Sequence, residues 1–137
     1  MDQTVIDKIK ASFARQSFMK TIGAELDHIE KGSVSIRAPL SDHILQQHGF
    51  AHAGVAFSMG DSAAGYAALT MMPAEAEVLT TEIKINLLAP ASGDTIIAEG
   101  RVIKAGSRLT IIGADVFAIT GEQEKHIAIL QGTMISS

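Results

Sequence analysis

The chain has 137 residues, no cysteine and a formal net charge of −4. This length is enough to bury a core without disulfide or metal support, and a weakly acidic chain lacks the basic surface typical of nucleic-acid binders. No stretch approaches the roughly 18 consecutive apolar residues of a membrane helix, and the N-terminus lacks the apolar core of a signal peptide. We therefore expect one cytoplasmic globular domain spanning residues 1–137, with no nucleic-acid or membrane partner.

A helix is predicted within residues 1–20, followed by two short strands. The apolar residues of this helix recur near helical spacing, at Val5, Ile6, Ile9, Phe13 and Phe18. Lys31 and Gly32 form a turn signal between strands expected at 22–30 and 33–39.

Four further strands are predicted in the second half of the chain, near 77–88, 94–104, 108–119 and 125–134, separated by the turn-forming segments APASGD, KAGSR and TGEQE. The first strand alternates, which places Leu79, Thr81, Ile83, Ile85 and Leu87 on one face and Thr80, Glu82, Lys84 and Asn86 on the other. A helix, two strands, a second helix and four strands with short connections indicate an α+β fold with an antiparallel sheet.

The second helix is predicted over residues 52–71, and its composition is unusual. Alanine and glycine make up more than half of residues 51–68. Glycine costs a helix roughly 0.8–1 kcal/mol relative to alanine, so Gly60 and Gly65 are expected where neighbouring elements approach the helix closely. These features predict a buried central helix inside a curved sheet.

Asp61 stands in the middle of this apolar helix, where an acid is costly unless it is paired or faces a cavity. Its carboxylate could accept hydrogen bonds from a strand or a partner subunit, or it could act as a general base or nucleophile. The start of the helix favours catalysis. At Ala53 and Gly54, backbone N–H groups lack intrahelical partners at the positive end of the dipole, as in an oxyanion hole.

The helix start and the acid are too far apart to act on one carbonyl. Ala53 and Asp61 are separated by about 12 Å along a helix, whereas reacting groups must approach within about 3–3.5 Å. If both act on one substrate, they come from two chains with antiparallel central helices. This distance predicts a dimer with paired sites at its interface.

Three segments in order, QQHGFAHAGVAFSMGDSAAGYAAL, TTEIKINLLAPASGD and GRVIKAGSRL, resemble the hotdog-fold acyl-CoA thioesterases of the phenylacetate-degradation (PaaI) type. The likeness covers about residues 40–118. It implies a curved antiparallel sheet wrapped around a long central helix, in the order α-β-β-α-β-β-β-β. It also implies hydrolysis of acyl-CoA, no cofactor beyond the coenzyme A of the substrate, and a homodimer or tetramer with active sites at the subunit interface.

The resemblance assigns catalytic roles to five residues. Asp61 stands at the position of the acid that activates water or attacks the thioester, and Ala53, beside Gly54, at the position of the N–H that polarises the carbonyl. Gln46 occupies the position of the amide that holds the water or carbonyl, where the family commonly has asparagine. Thr80 replaces the usual serine hydroxyl, and HAG replaces the usual HGG.

The resemblance also assigns binding roles. His52 and Ser62 are expected to line the substrate pocket. Contacts to coenzyme A are expected from the strand after the central helix and from the KAGSR turn, at Glu82, Lys84, Lys104, Gly106, Ser107 and Arg108. The residues of this turn alone indicate only an ordinary hairpin with solvated ends.

Other functions remain open on the residues alone. Some hotdog enzymes hydrate or dehydrate acyl thioesters with a histidine paired to an acid, and a non-catalytic acyl-CoA or acyl-carrier binding module would use Asp61 only at an interface. His48 and His52 have zinc-helix spacing but lack the glutamate and third ligand of that motif. Ser58 lacks the strand–turn–helix setting of a nucleophile elbow.

Overall fold

One antiparallel sheet surrounds one long helix in the computed structural model, which describes residues 1–137. The elements are α1 (Gln3–Ala14), α2 (Ser17–Ile22), β1 (Glu25–Glu30), β2 (Ser33–Pro39), a 3₁₀ turn (Asp42–Ile44), α3 (Ala53–Leu69), β3 (Val78–Leu87), β4 (Thr95–Ala105), β5 (Leu109–Thr120) and β6 (Gln123–Ser136). The strand order is β1-β2-β4-β5-β6-β3, and α3 packs against β2 to β6. The predicted hotdog arrangement is confirmed. None of the helices combines the length and hydropathy needed to cross a membrane.

The core forms where the small residues of α3 meet the large residues of the sheet. Ala63, Ala64, Ala67 and Ala68 are completely buried, and the strands supply the volume around them with Ile36, Ile96, Ile112, Leu130 and Met134. At Gly100 on β4, an added Cβ would overlap the backbone of Ala63 and Ala64. The sheet and the central helix therefore touch backbone to backbone at this point.

The two glycines in the middle of α3 differ in how closely neighbouring side chains pack against them. A Cβ at Gly60 would lie 2.9 Å from Leu130 Cδ1, so close packing excludes a side chain there. A Cβ at Gly65 would lie 3.7 Å from Met134 Cε, which is an ordinary contact. The expectation of a close approach is thus confirmed at Gly60 and wrong at Gly65, where a methyl group would fit in ordinary contact with Met134.

We expect opposite effects on stability from alanine at two of these glycines. Gly100→Ala forces the backbones of β4 and α3 apart and lowers the free energy of unfolding by about 1–3 kcal/mol. Gly65→Ala fits without a clash and raises it by about 0.5–1 kcal/mol, because alanine loses less backbone entropy. Chemical denaturation at one fixed protein concentration measures both; equal losses would contradict this account of the packing.

The N-terminal helix predicted over 1–20 is two helices. α1 ends at Ala14, and Gln16 is the extended N-cap of α2, which ends at the left-handed Gly23 (φ 75°). The break turns the Gln16 side chain inward, where its Nε2 donates to the Tyr66 hydroxyl at 2.8 Å. Phe18 lies beyond the break and is 52% exposed, so it is not part of the buried face.

The alternation predicted for β3 is wrong near the start of the strand. The register against β6 shifts between Thr80 and Glu82, so Thr81 is an extra residue in a β-bulge. Thr80 consequently lies opposite the buried Met134 and faces α3, while Leu79 faces outward and is 63% exposed. Sequence alternation had grouped Thr80 with Glu82 and Lys84, from which the bulge separates it.

Candidate active site

Asp61 and Thr80 meet on the inner side of the sheet. The Thr80 hydroxyl donates to Asp61 Oδ1 at 2.7 Å, and the same hydroxyl lies 3.2 Å from Met134 Sδ. The half-buried Asp61 borders a cavity of about 320 Å³, the Asp61 pocket, which Ser62 and Gly65 also line. The structure therefore brings together the predicted acid, the predicted hydroxyl and the predicted pocket residue Ser62.

A second cavity of about 620 Å³, the helix-start pocket, opens at the N-terminus of α3. Gln46, His52 and Ala53 all line it, together with apolar residues from Leu87 to Ala91. The predicted carbonyl-polarising residue and the predicted amide thus lie in one cavity, with His52 beside them.

The helix start offers one backbone donor where two were predicted. His52 is the N-cap of α3, and its ring Nδ1 accepts the Gly54 N–H at 2.8 Å. The Gly54 N–H is therefore already satisfied inside the chain. Ala53 is the first residue of α3, so its N–H has no acceptor within the helix.

Gln46 shapes the loop that precedes α3. Its Oε1 accepts the N–H groups of His48 at 2.6 Å and Phe50 at 3.2 Å, and Gly49 turns the chain with a φ of 85°. These bonds use only the amide oxygen, so the N–H groups of the Gln46 amide remain able to donate to a ligand in the helix-start pocket.

The two cavities share no lining residue. The rise between Ala53 and Asp61 is about 12 Å in a regular helix. One chain therefore carries a polarising half-site and an acidic half-site that face different volumes.

Comparison with known proteins places this arrangement in a family. Residues 48–125, more than half of the chain, match the model of the thioesterase superfamily. The chain belongs to the thioesterase superfamily. A thioesterase family protein from Silicibacter pomeroyi is 40% identical in a crystal structure that superposes with a TM-score of 0.93, covering 96% of this chain and 97% of that one. The protein is a thioester hydrolase with the hotdog fold.

Two curated relatives are more distant. A provisionally named esterase of Saccharolobus solfataricus is 30% identical over 85% of this chain and 75% of its own length. The acyl-coenzyme A thioesterase PaaI of Escherichia coli is 25% identical over 89% of this chain and 84% of its own length.

Two residues of this thioesterase that are predicted to contact coenzyme A, Lys104 and Glu82, stand at the two ends of a row of paired residues on the outer face of the sheet. Lys104 pairs with Ile111, Ile111 with Thr133, and Thr133 with Glu82, to which the Thr133 hydroxyl also donates. The row crosses three strand spacings, about 14 Å. Lys84 lies on the same outer face, two residues further along β3.

The turn between β4 and β5 holds the other predicted contacts, Gly106, Ser107 and Arg108. A Cβ at Gly106 would overlap the Leu109 carbonyl oxygen, so the hairpin itself requires this glycine. Ser107 and Arg108 are exposed beside it. The turn is accessible to a ligand, but Gly106 has a sufficient structural reason of its own.

The geometry of the thioesterase supports neither of two alternative sites considered from the sequence, a metal site at His48 and His52 and a nucleophile at Ser58. No three His, Asp or Glu side chains cluster in a way that would hold a metal ion, which leaves His48 and His52 without a third ligand. Ser58 lies inside α3 and donates to the Gly54 carbonyl at 2.7 Å, as expected of a helical serine and not of a nucleophile elbow.

Three polar residues of the Asp61 pocket escaped the sequence analysis: Ser12, Gln16 and Tyr66. Ser12 and Gln16 lie in the segment predicted as one continuous helix, and Tyr66 lies in the predicted central helix, without a role assigned to any of them. A glutamine within a helix carries no signal that the chain breaks beside it, so only the tertiary contact with Tyr66 reveals the position of Gln16.

Proposed function

We propose that this thioesterase hydrolyses acyl-CoA thioesters to a free carboxylic acid and coenzyme A, in an active site built from two copies of the chain. The observation that carries the proposal is the hydrogen bond from Thr80 to Asp61, which orients a half-buried carboxylate at the wall of a cavity. The similarity to the acyl-coenzyme A thioesterase of Escherichia coli supports the same substrate class.

In the proposed mechanism, the thioester carbonyl lies at the start of α3 in one subunit, where the Ala53 N–H stabilises the developing oxyanion. Asp61 of the facing subunit provides the attack. As a general base its Oδ2 takes a proton from water while the water oxygen bonds to the carbonyl carbon. As a nucleophile it forms a mixed anhydride that water then opens. Either way the carbon–sulfur bond breaks and coenzyme A leaves as a thiolate.

The supporting residues have separate tasks in this mechanism. Thr80 occupies Oδ1 of Asp61 and so directs Oδ2 toward the substrate. Gln46 offers the free N–H groups of its amide to the carbonyl or the water. His52 caps α3 through Gly54 and thereby holds the Ala53 N–H in place.

The free edge of β3 supports pairing between two subunits. β3 is the last strand of the sheet, and Leu79, Leu87 and Leu88 are 63%, 60% and 51% exposed. A long edge strand with unpaired backbone groups and exposed leucines is a template for another strand. Leu79 lines the Asp61 pocket and Leu87 the helix-start pocket, so antiparallel pairing of two β3 strands would set each Asp61 pocket beside the partner's helix-start pocket.

The hydratase alternative is separated from hydrolysis by its product. A hydratase or dehydratase would pair the acid with a histidine; no histidine lines the Asp61 pocket of the same chain, whereas His48 and His52 line the helix-start pocket that the proposed pairing sets beside it. Hydration or dehydration leaves the thioester intact, so only hydrolysis releases coenzyme A. A non-catalytic acyl-CoA binding module differs from an enzyme in one respect that can be measured, namely turnover.

The test is thioester hydrolysis by the purified protein over a panel of short, long and aromatic acyl-CoAs. Released coenzyme A can be followed with a thiol reagent, since the chain contains no cysteine that would react. We expect multiple turnovers with at least one class of acyl group. Binding of acyl-CoA without turnover would establish the non-catalytic module instead.

We further expect that Lys104→Glu combined with Arg108→Glu raises KM for acyl-CoA by about tenfold with little change in kcat, because phosphate contacts persist from ground state to transition state. Added salt should raise the KM of the unaltered protein through the same exposed charges. Lys20→Glu with Lys125→Glu makes the same charge change away from the turn and serves as the control. An equal KM in both double variants would place coenzyme A elsewhere.

A further inference from the structure

Three polar side chains meet on the outer face of the sheet, outside both cavities. Asp115 lies on β5 between the buried Ala114 and Val116, so its side chain points outward. Its Oδ2 is 2.5 Å from Nη1 of Arg101 on β4, and its Oδ1 is 3.0 Å from Nε2 of His126 on β6. Arg101, Asp115 and His126 form the Asp115 cluster, which joins three neighbouring strands.

Packing around the Asp115 cluster holds its members in place. A Cβ at Gly113 would lie 2.9 Å from Nη2 of Arg101, so this glycine leaves the space through which the guanidinium reaches Asp115. The His126 ring stacks on Phe117 with 4.8 Å between the ring centroids. The Nε2 atom of His126 is buried and makes no well-aligned hydrogen bond, so the Asp115 carboxylate, 3.0 Å away, is the group that compensates its burial.

His126 stands next to a β-bulge that contributes to the helix-start pocket. The register between β5 and β6 shifts between Val116 and Phe117, so Ile127 is an extra residue in β6. The Ile127 side chain is buried and lines the helix-start pocket. One residue therefore separates the Asp115 cluster on the outer face from a wall of that pocket on the inner face.

The same bulge positions the segment that follows β3. The Ile127 carbonyl oxygen accepts the N–H groups of Leu88 at 2.8 Å and Ala89 at 3.4 Å, and both residues line the helix-start pocket. Further along this segment, the Ala91 carbonyl accepts the Ala51 N–H at 2.9 Å, which joins the wall to the loop before α3. The position of Ile127 thus sets the position of the wall that faces a substrate at the helix start.

We propose that His126 and Asp115 are positioning residues for acyl-CoA hydrolysis, which hold the bulge at Ile127 and, through it, the wall of the helix-start pocket. The effect on the substrate rests on the proposed function. A bulge interrupts the hydrogen-bond ladder, so other contacts have to fix its local conformation, and the contact between His126 and Asp115 supplies one beside Ile127. Neither residue lines either cavity. The hold on the wall and its effect on the substrate can be measured separately.

The first measurement is amide hydrogen exchange of residues 87–91, which needs no substrate. His126→Phe keeps a ring that can stack on Phe117 but removes the nitrogen that faces Asp115. We expect the protected N–H groups of this segment to exchange about tenfold faster in the variant, because local opening of the bulge frees them. His126→Gln can still donate to Asp115 from its amide, so its exchange should match that of the unaltered protein.

The second measurement is steady-state hydrolysis of an acyl-CoA that the unaltered protein turns over. His126→Phe should raise KM about fivefold and change kcat by less than about twofold, because the wall contacts the substrate in the ground state and the transition state alike. The Ala53 N–H stays held by the His52 cap. His126→Gln should keep the KM of the unaltered protein. Asp115→Asn is a second variant that removes the charge facing His126, and it should raise KM even if His126→Phe folds poorly.

His28→Phe is the control, because His28 also faces a carboxylate, that of Glu30 at 3.4 Å, but lies exposed on the edge strand β1. This variant should alter neither the exchange nor KM. Unchanged exchange and KM in folded His126→Phe and Asp115→Asn, or equal changes in His126→Gln and His126→Phe, would overturn this inference alone. Faster exchange in a protein that hydrolyses no acyl-CoA would overturn the proposed function, while the hold of the Asp115 cluster on the wall would be confirmed.

Discussion

Asp61→Asn is expected to lower kcat for acyl-CoA hydrolysis by a factor of about 10² or more while the fold and the assembly persist. Loss of a positioned general base typically lowers the rate by a factor of about 10²–10⁴. Loss of a nucleophile would lower it by at least as much. Asparagine is nearly isosteric and can still accept the Thr80 hydroxyl bond through its amide oxygen. The structural cost should therefore be small.

The measurement is steady-state hydrolysis beside a thermal melt and a determination of molecular mass in solution. Asp27→Asn is a matched control, since Asp27 also accepts a hydroxyl bond, from Ser35, but lies on the far edge of the sheet in β1. A folded Asp61→Asn protein with near-normal kcat would show that Asp61 is only structural. A variant that loses stability and assembly together would point to the same conclusion.

Mixing two inactive variants is expected to restore about a quarter of the activity of the unaltered protein. One partner is Asp61→Asn and the other is Ala53→Pro, which removes the backbone N–H proposed to polarise the carbonyl. Proline is tolerated at the first residue of a helix, and the preceding His52 already has the extended conformation (φ −59°, ψ 139°) that a following proline requires. The Ala53→Pro chain should therefore fold.

The expected recovery of a quarter of the activity follows from an active site shared between two subunits. Random exchange gives about half mixed dimers, and each contains one site with both defects and one site with neither, which is about a quarter of all sites. Subunit exchange is verified with differently tagged chains, and each variant exchanged with itself is the control. If exchanged dimers remain inactive, the helix start and the acid do not meet across the interface.

The sequence by itself determined the architecture and the position of the acid. Helical and strand periods are local, so the antiparallel sheet and the central helix could be predicted from neighbouring residues, with α3 at Ala53–Leu69 inside the predicted 52–71. The density of alanine and glycine required a buried helix, and an acid in such a helix required a partner or a cavity. Asp61 has both, in Thr80 and the Asp61 pocket.

Only the three-dimensional structure decided which side chains reach that acid and which backbone N–H groups at the helix start stay free. Thr80 faces Asp61 because one extra residue in β3 shifts its register against β6, a choice made by pairing with a strand about 50 residues away in the chain. Gln16 enters the pocket because the N-terminal helix breaks where its amide can bond Tyr66 of α3. Gly54 loses its free N–H because the ring of His52 turns back onto it. In each case contacts that residue patterns do not contain, with a distant strand, with Tyr66 or with the ring of one side chain, decide the conformation.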